Sequence, residues 1–88
     1  VSRREINLTP QFLRQLAPLG PRLRERVRGY VEDLAAAEDP ATVAEPYLSP
    51  AGEPVEHVWL MRRPDALVVC AVYDALLVVD ALHVTPDT

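Results

Sequence analysis

Polar and apolar residues alternate from Arg4 to Leu8, with Ile6 and Leu8 on one side, which predicts an opening strand. Thr9-Pro10 then sets a hydroxyl at an N-cap and a proline at the first helical position. Phe12, Leu13 and Leu16 give the short helix that follows an apolar side. Gly20-Pro21 closes it and opens a second helix, predicted over 21–37. There Leu23, Val27, Tyr30, Val31 and Leu34 recur at spacings of three and four and form one stripe. Arg22, Arg24, Glu25, Arg28 and Glu32 fall largely on the opposite side. Gly29 in mid-helix is unfavourable by about 1 kcal/mol relative to alanine, and a close helix–helix contact is the expected reason for it.

Asp39-Pro40 stops the helical pattern, and 40–54 reads as a loop carrying Pro40, Pro46, Pro50 and Pro54. Tyr47 and Leu48 are expected to pin that loop to the core, ahead of a turn at Ser49-Pro50-Ala51-Gly52. Three strands follow. The first alternates over 55–62, the second is apolar on both sides over 67–73, and the third runs over 76–84 to a stop at Thr85-Pro86. Turns at Arg63-Pro64-Asp65 and Asp74-Ala75 are too short for crossovers, so the trio is an antiparallel meander. The predicted architecture is α+β: a helical hairpin packed on a four-stranded, mainly antiparallel sheet, in the order β-α-α-β-β-β. The helices must cover one sheet face. The other is expected to present His57, Trp59 and Met61, with some of Val68, Cys70, Val72 and Asp80.

Length and composition narrow this further. The 88 residues make one domain over 1–88, and 49% hydrophobic content with five aromatic residues describes an aliphatic core. A lone cysteine, Cys70, cannot form an internal disulfide and lies in an apolar run, as a small buried hydrophobe would. No secretory leader is visible, so a cytoplasmic location is expected. Ala66 to Val84 is apolar enough to invite a membrane reading, but Asp74 and Asp80 would each cost about 2.5–3.5 kcal/mol near a bilayer centre. The net charge of −4 is uneven. Residues 1–28 carry seven arginines against two glutamates, so a local basic patch is confined to the helical end.

The candidate chemistry is sparse. Two histidines and one cysteine on separate strands make no metal motif, and no glycine-rich phosphate loop is present, so neither metal nor cofactor is expected. His57 and His83 could transfer protons, and Arg62 and Arg63 could hold phosphate. A strand histidine is more often a surface or hydrogen-bonded residue, and two arginines before a turn are more often a solvated strand end. Trp59 and Met61 beside arginine have the composition of a protein interface; packing under the Pro-rich loop is the competing reading.

The element order, with the Thr9-Pro10-Gln11-Phe12 helix start, the proline-closed helix over 22–40, the 48–52 turn and the strand Val58-Trp59-Leu60-Met61-Arg62, resembles the RelE/ParE superfamily of bacterial toxin–antitoxin modules. The resemblance covers nearly the whole chain. It implies a toxin-like protein neutralised by a cognate antitoxin, and ribosome-dependent mRNA cleavage in which RNA binding and catalysis fall to Arg62, Arg63 and His83. Where active ribonucleases of the family carry tyrosine then arginine, this chain has Ala66 and Leu67, and Val84 stands where an arginine follows the last strand's histidine. Two alternatives therefore stand beside it. One is a catalytically silent module that forms a homodimer through the partner-binding residues His57, Trp59 and Met61. The other is a ParE-type toxin that acts on gyrase by protein contact.

Overall fold

The computed structural model describes residues 3–85, so Pro86 of the predicted strand stop lies outside the described residues. Strand β1 (Glu5–Leu8) leads into helices α1 (Pro10–Leu16) and α2 (Pro21–Ala36). A short 3-10 turn (Pro40–Thr42) is followed by β2 (Glu45–Leu48), β3 (Pro54–Arg62), β4 (Ala66–Val72) and β5 (Leu76–Val84). The five strands form one sheet in the order β1-β5-β4-β3-β2. The last four make an antiparallel meander, and it ends beside β1, which pairs with β5 in parallel. This is the predicted α+β architecture with one strand more than expected.

The extra strand is β2, inside the segment read as loop. Pro46 has no N–H for a ladder, which confines such a strand to a sheet edge, and β2 is an edge. It joins β3 through a three-residue turn closed by the Ser49 N–H donating to the Glu53 carbonyl at 2.8 Å. Gly52 has φ +83, the left-handed position that this hairpin type requires. Tyr47 and Leu48 do not pin the segment to the core. They are among the most exposed large apolar side chains, at 40% and 55%.

Local signals placed the helices well. The Thr9 hydroxyl caps α1 by accepting from the Phe12 N–H at 3.2 Å. In α2 the stripe resolves into buried Val27, Val31, Leu34 and Ala35, flanked by half-buried Leu23 and Tyr30. Gly29 has no close neighbour: a Cβ added there would meet nothing within 4 Å, so no helix–helix contact explains it.

The helical residues pack with Phe12 against one face of the sheet, made of Met61, Ala66, Val68, Cys70, Val72, Leu77, Val79 and Leu82. A bulge interrupts the β4–β5 ladder, where Val69 faces Ala81 and Cys70 faces Val79. Asp80 is the extra residue and is exposed, as expected for a carboxylate in an apolar strand. Side chains of the first helical segment secure the bulge. The Thr9 hydroxyl donates to the Asp80 carbonyl at 3.1 Å, and the Gln15 side-chain oxygen accepts from the Leu82 N–H at 2.7 Å. Among the described residues no helix is long and apolar enough to cross a membrane.

Candidate functional site

Which face the helices cover decides where chemistry can occur, and here the structure reverses the expectation. Met61 lies opposite Val68 and is 1% exposed, inside the core. Trp59 lies opposite Cys70 on the same side, half-buried against that core. Met61 therefore belongs to no open surface, whereas Trp59 keeps part of its side chain exposed. The physical reason is that β3 and β4 are apolar on both sides, so alternation separates two faces without telling which one the helices take. His57 is exposed, but it sits apart from the other two. Its φ of +66 falls in the left-handed region, and β3 carries extra residues there relative to β2. Its ring packs against Tyr73 with centroids 4.8 Å apart, and Nδ1 lies 3.3 Å from the Val72 carbonyl oxygen. With Met61 sealed in the core, His57, Trp59 and Met61 form no common exposed patch.

The bare face is the other set. Register aligns three rows across β3, β4 and β5: Val58–Ala71–Val78, Leu60–Val69–Ala81 and Arg62–Leu67–His83. The first two rows are wholly aliphatic and half-buried, and none of their members belongs to the core cluster. At the β2 margin Tyr47, Leu48 and Leu60 line a shallow hollow of about 490 Å³ with Pro46, Glu45 and Arg62. Acidic groups rim the face. Glu45 faces Leu60 and Glu5 faces Leu76 in register, and Asp80 stands exposed on the bulge.

The third row brings two of the three predicted catalytic residues to one side. Arg62 and His83 flank Leu67, two strand spacings apart, or about 10 Å between backbones. Both are exposed. Arg62 is already paired, its Nη2 donating to Glu45 Oε1 at 3.0 Å. The centre of the row is an aliphatic side chain, which offers a developing phosphorane neither charge nor hydrogen bond.

Arg63 is not part of this row. Its guanidinium donates to the carbonyl oxygens of Arg62 (3.0 Å) and Val43 (3.2 Å) and lies over the Tyr30 ring, 5.5 Å from the centroid. It belongs to a clasp that joins α2 to the β3–β4 turn. Tyr30 donates its hydroxyl to Asp65 Oδ1 at 2.8 Å, and Arg26 Nε donates to Asp65 Oδ2 at 2.6 Å. The Tyr30 hydrogen bond, with the one from Arg26, holds the Asp65 carboxyl below the usual carboxylate range. The same bond to Asp65 raises the Tyr30 phenol. Sequence pattern could not find this clasp, because Arg26 and Asp65 are 39 residues apart. Arg63 is thus engaged by two backbone carbonyls and the Tyr30 ring, away from the Arg62–His83 row.

Cys70 is likewise committed to packing. Burial, aided by the charge of Asp80, pushes its thiol up to about 12, far from nucleophilic use. No group of three or more His, Cys, Asp or Glu side chains suited to a metal occurs among the described residues.

A second recess lies on the helix side, beside β1. It is a groove of about 540 Å³ with Phe12, Leu16, Val27 and Val31 as its floor, Ile6 and Leu8 as one wall, and Arg3, Arg28 and Glu32 at its rim. Sequence reading missed it, since its members serve equally as ordinary core positions.

No protein-family model matches the sequence, and comparison with curated proteins gives no match. Solved structures do resemble it. A chain of the toxin–antitoxin complex RelBE2 from Mycobacterium tuberculosis superposes with a TM-score of 0.79 at 19% identity, over 97% of this chain and 94% of that one. A chain of the intact RelBE toxin–antitoxin complex of E. coli gives 0.71 at 11% identity, over 98% and 100%. The conserved hypothetical protein HP0894 of Helicobacter pylori gives 0.59 at 17% identity, with 94% of each chain covered. At these identities the likeness is one of architecture: from the first strand to the last, the chain has the RelE/ParE-like fold.

Proposed function

We propose that this protein is the toxin-like component of a bacterial toxin–antitoxin module and is held by a cognate antitoxin protein. The observation that carries this reading is the end-to-end likeness to a chain of the RelBE2 complex, at a TM-score of 0.79 over 97% of the chain.

The bare sheet face favours contact with a protein target over RNA cleavage. Groups that hold a nucleic-acid backbone are cations, and most of its affinity comes from them. This face has aliphatic rows, the acids Glu5, Glu45 and Asp80 at its margin, and a single arginine already paired. The second reading, ribosome-dependent mRNA cleavage, rests on Arg62 and His83 sharing a row. In that reading Arg62 leaves Glu45 to hold phosphate and His83 moves the proton.

The test is induction of the chain alone in a bacterial host, followed by mapping of RNA ends. Growth arrest is expected, with relief when the partner encoded beside it is co-expressed. Arrest that persists in Arg62→Ala and His83→Ala without new RNA ends supports the contact reading. New ends that vanish in both variants would replace it with the nuclease reading. Unimpaired growth despite folded, abundant protein overturns the toxin reading altogether.

A further inference from the structure

We infer that two copies of this chain associate weakly and reversibly, face to face, through the bare side of the sheet. Their strands run antiparallel, related by a twofold axis that lies in the interface and crosses the strands. The occupant of the aliphatic field is thus the same field of a second copy. The inference goes beyond the toxin reading and does not rest on it.

Shape makes the first argument. The rows Val58–Ala71–Val78 and Leu60–Val69–Ala81 lie side by side, with the helices packed on the far side of the sheet. A field of aliphatic side chains on one sheet is what the inner face of a β-sandwich presents, and a second sheet closes it at a spacing of about 10 Å. A twofold axis between the two rows lays each row over the other row of the second copy. Leu60 then meets Val58, Val69 meets Ala71, and Val78 meets Ala81. On β4 and β5 each alanine therefore receives a valine, the pairing of small with large that lets two layers interdigitate. An axis running along β4 would instead set Ala71 over Ala71 and Val69 over Val69.

Charge makes the second argument. The field ends at Arg62 and His83 on one side. At its other end Glu5 stands opposite Leu76 in register, and Glu56 and Asp74 are exposed. Arg4, also at that end, is engaged by the carbonyls of Tyr73 and Ala37. The axis across the strands brings Arg62 and His83 of each copy to the acidic end of the other. Arg62 spends Nη2 on Glu45, and the rest of its fork is turned to Glu56 of the second copy. The axis along β4 would set Arg62 over His83, cation against cation, so charge and shape select the same arrangement.

Area sets the strength. Four strand spacings of about 4.8 Å by a seven-residue β4 of about 24 Å give a face of roughly 450 Å² per copy. The pair then buries about 900 Å², below the roughly 1,200–2,000 Å² of stable complexes and in the range of weak, exchanging ones. Asp80 stands exposed on the bulge near the axis, where it approaches its own copy and weakens the pair further. The dimer hides the field that the target-contact reading leaves open, so the dilute monomer is the form that presents it.

The experiment is sedimentation equilibrium of the full chain from low micromolar to about millimolar concentration. A reversible monomer–dimer equilibrium is expected. Val69→Glu, which places a charge in the centre of the field, should weaken it tenfold or more. Leu13→Glu, on the helical layer, should leave it unchanged. Arg62→Glu and Glu56→Arg should each weaken it several-fold, and the double variant should recover most of the loss. A second readout stands even where Val69→Glu fails to fold: in a Cys70→Ala background, a thiol introduced by Val69→Cys should label more slowly as the protein is concentrated through the dimer range. A monomer at every concentration overturns the inference. So do a folded Val69→Glu chain that associates as before, loss of the dimer in Leu13→Glu, or a labelling rate at position 69 that ignores concentration. Single charge reversals that weaken the dimer without recovery in the double variant overturn the antiparallel arrangement. None of these outcomes depends on growth arrest, so failure of the toxin reading and failure of this surface are separable.

Discussion

The two faces of this sheet are made from nearly the same residue types and have opposite fates. On one, Met61, Val68, Cys70 and Val79 disappear beneath Phe12 and the stripe of α2. On the other, Leu60, Val69 and Ala81 stay outside the core with no layer above them. Residue type does not separate the faces. What separates them is which one receives the helices, and the unburied one is then left with a small aliphatic field bordered by acids. An apolar face kept open on a small domain marks a place for another protein more readily than one for a polyanion.

The contrast is most easily broken by truncating equivalent positions. Met61→Ala should cost about 2–5 kcal/mol, because it leaves a cavity in the sealed layer. Leu60→Ala, one residue away on the open face, should cost well under half as much. Urea unfolding of the two variants measures both, and similar losses would mean that the faces are not different.

A smaller effect is expected at the clasp that fixes α2 to the β3–β4 turn. Asp65→Asn weakens hydrogen bonds from Tyr30 and Arg26 and should cost about 1–2 kcal/mol at neutral pH, since the carboxylate is partly exposed. The Asp65 carboxyl titrates lower in the folded chain than its ordinary value of 3.8. Its stabilisation is therefore full above that value and is lost as pH falls through the depressed folded value. Acid unfolding followed across pH 2–5 should show a shallower loss in Asp65→Asn than in the unaltered chain, and parallel curves would deny the clasp its charge. The smallest effect should be a gain: Gly29→Ala lies on the exposed side of α2 with open space around it, and should raise stability by up to about 1 kcal/mol in thermal melts.

Elements governed by local chemistry were legible in the sequence. Thr9-Pro10 began a helix, the 3–4 spacing from Val27 to Leu34 buried the expected side, and Pro64-Asp65 and Asp74-Ala75 made two tight turns. Strand β2 was obscured by Pro46, although Tyr47-Leu48 followed by Ser-Pro-Ala-Gly and a valine-led run is a hairpin signal. The covered face was not legible, because β4 is apolar at every position and the choice depends on how distant elements dock. The same limit applied to the site. That Arg62 and His83 share a row follows from strand register, whereas the capture of Arg63 by Tyr30 and Val43 depends on contacts 33 and 20 residues apart in sequence.

Thiol labelling of adjacent positions tests the assignment of the two faces most directly. In the native chain Cys70 should resist a small thiol reagent until the protein unfolds, while Val69→Cys in a Cys70→Ala background should label without unfolding. Labelling of native Cys70 as fast as the thiol introduced at position 69 would contradict the account, because the helices would then not seal the face on which Met61 lies.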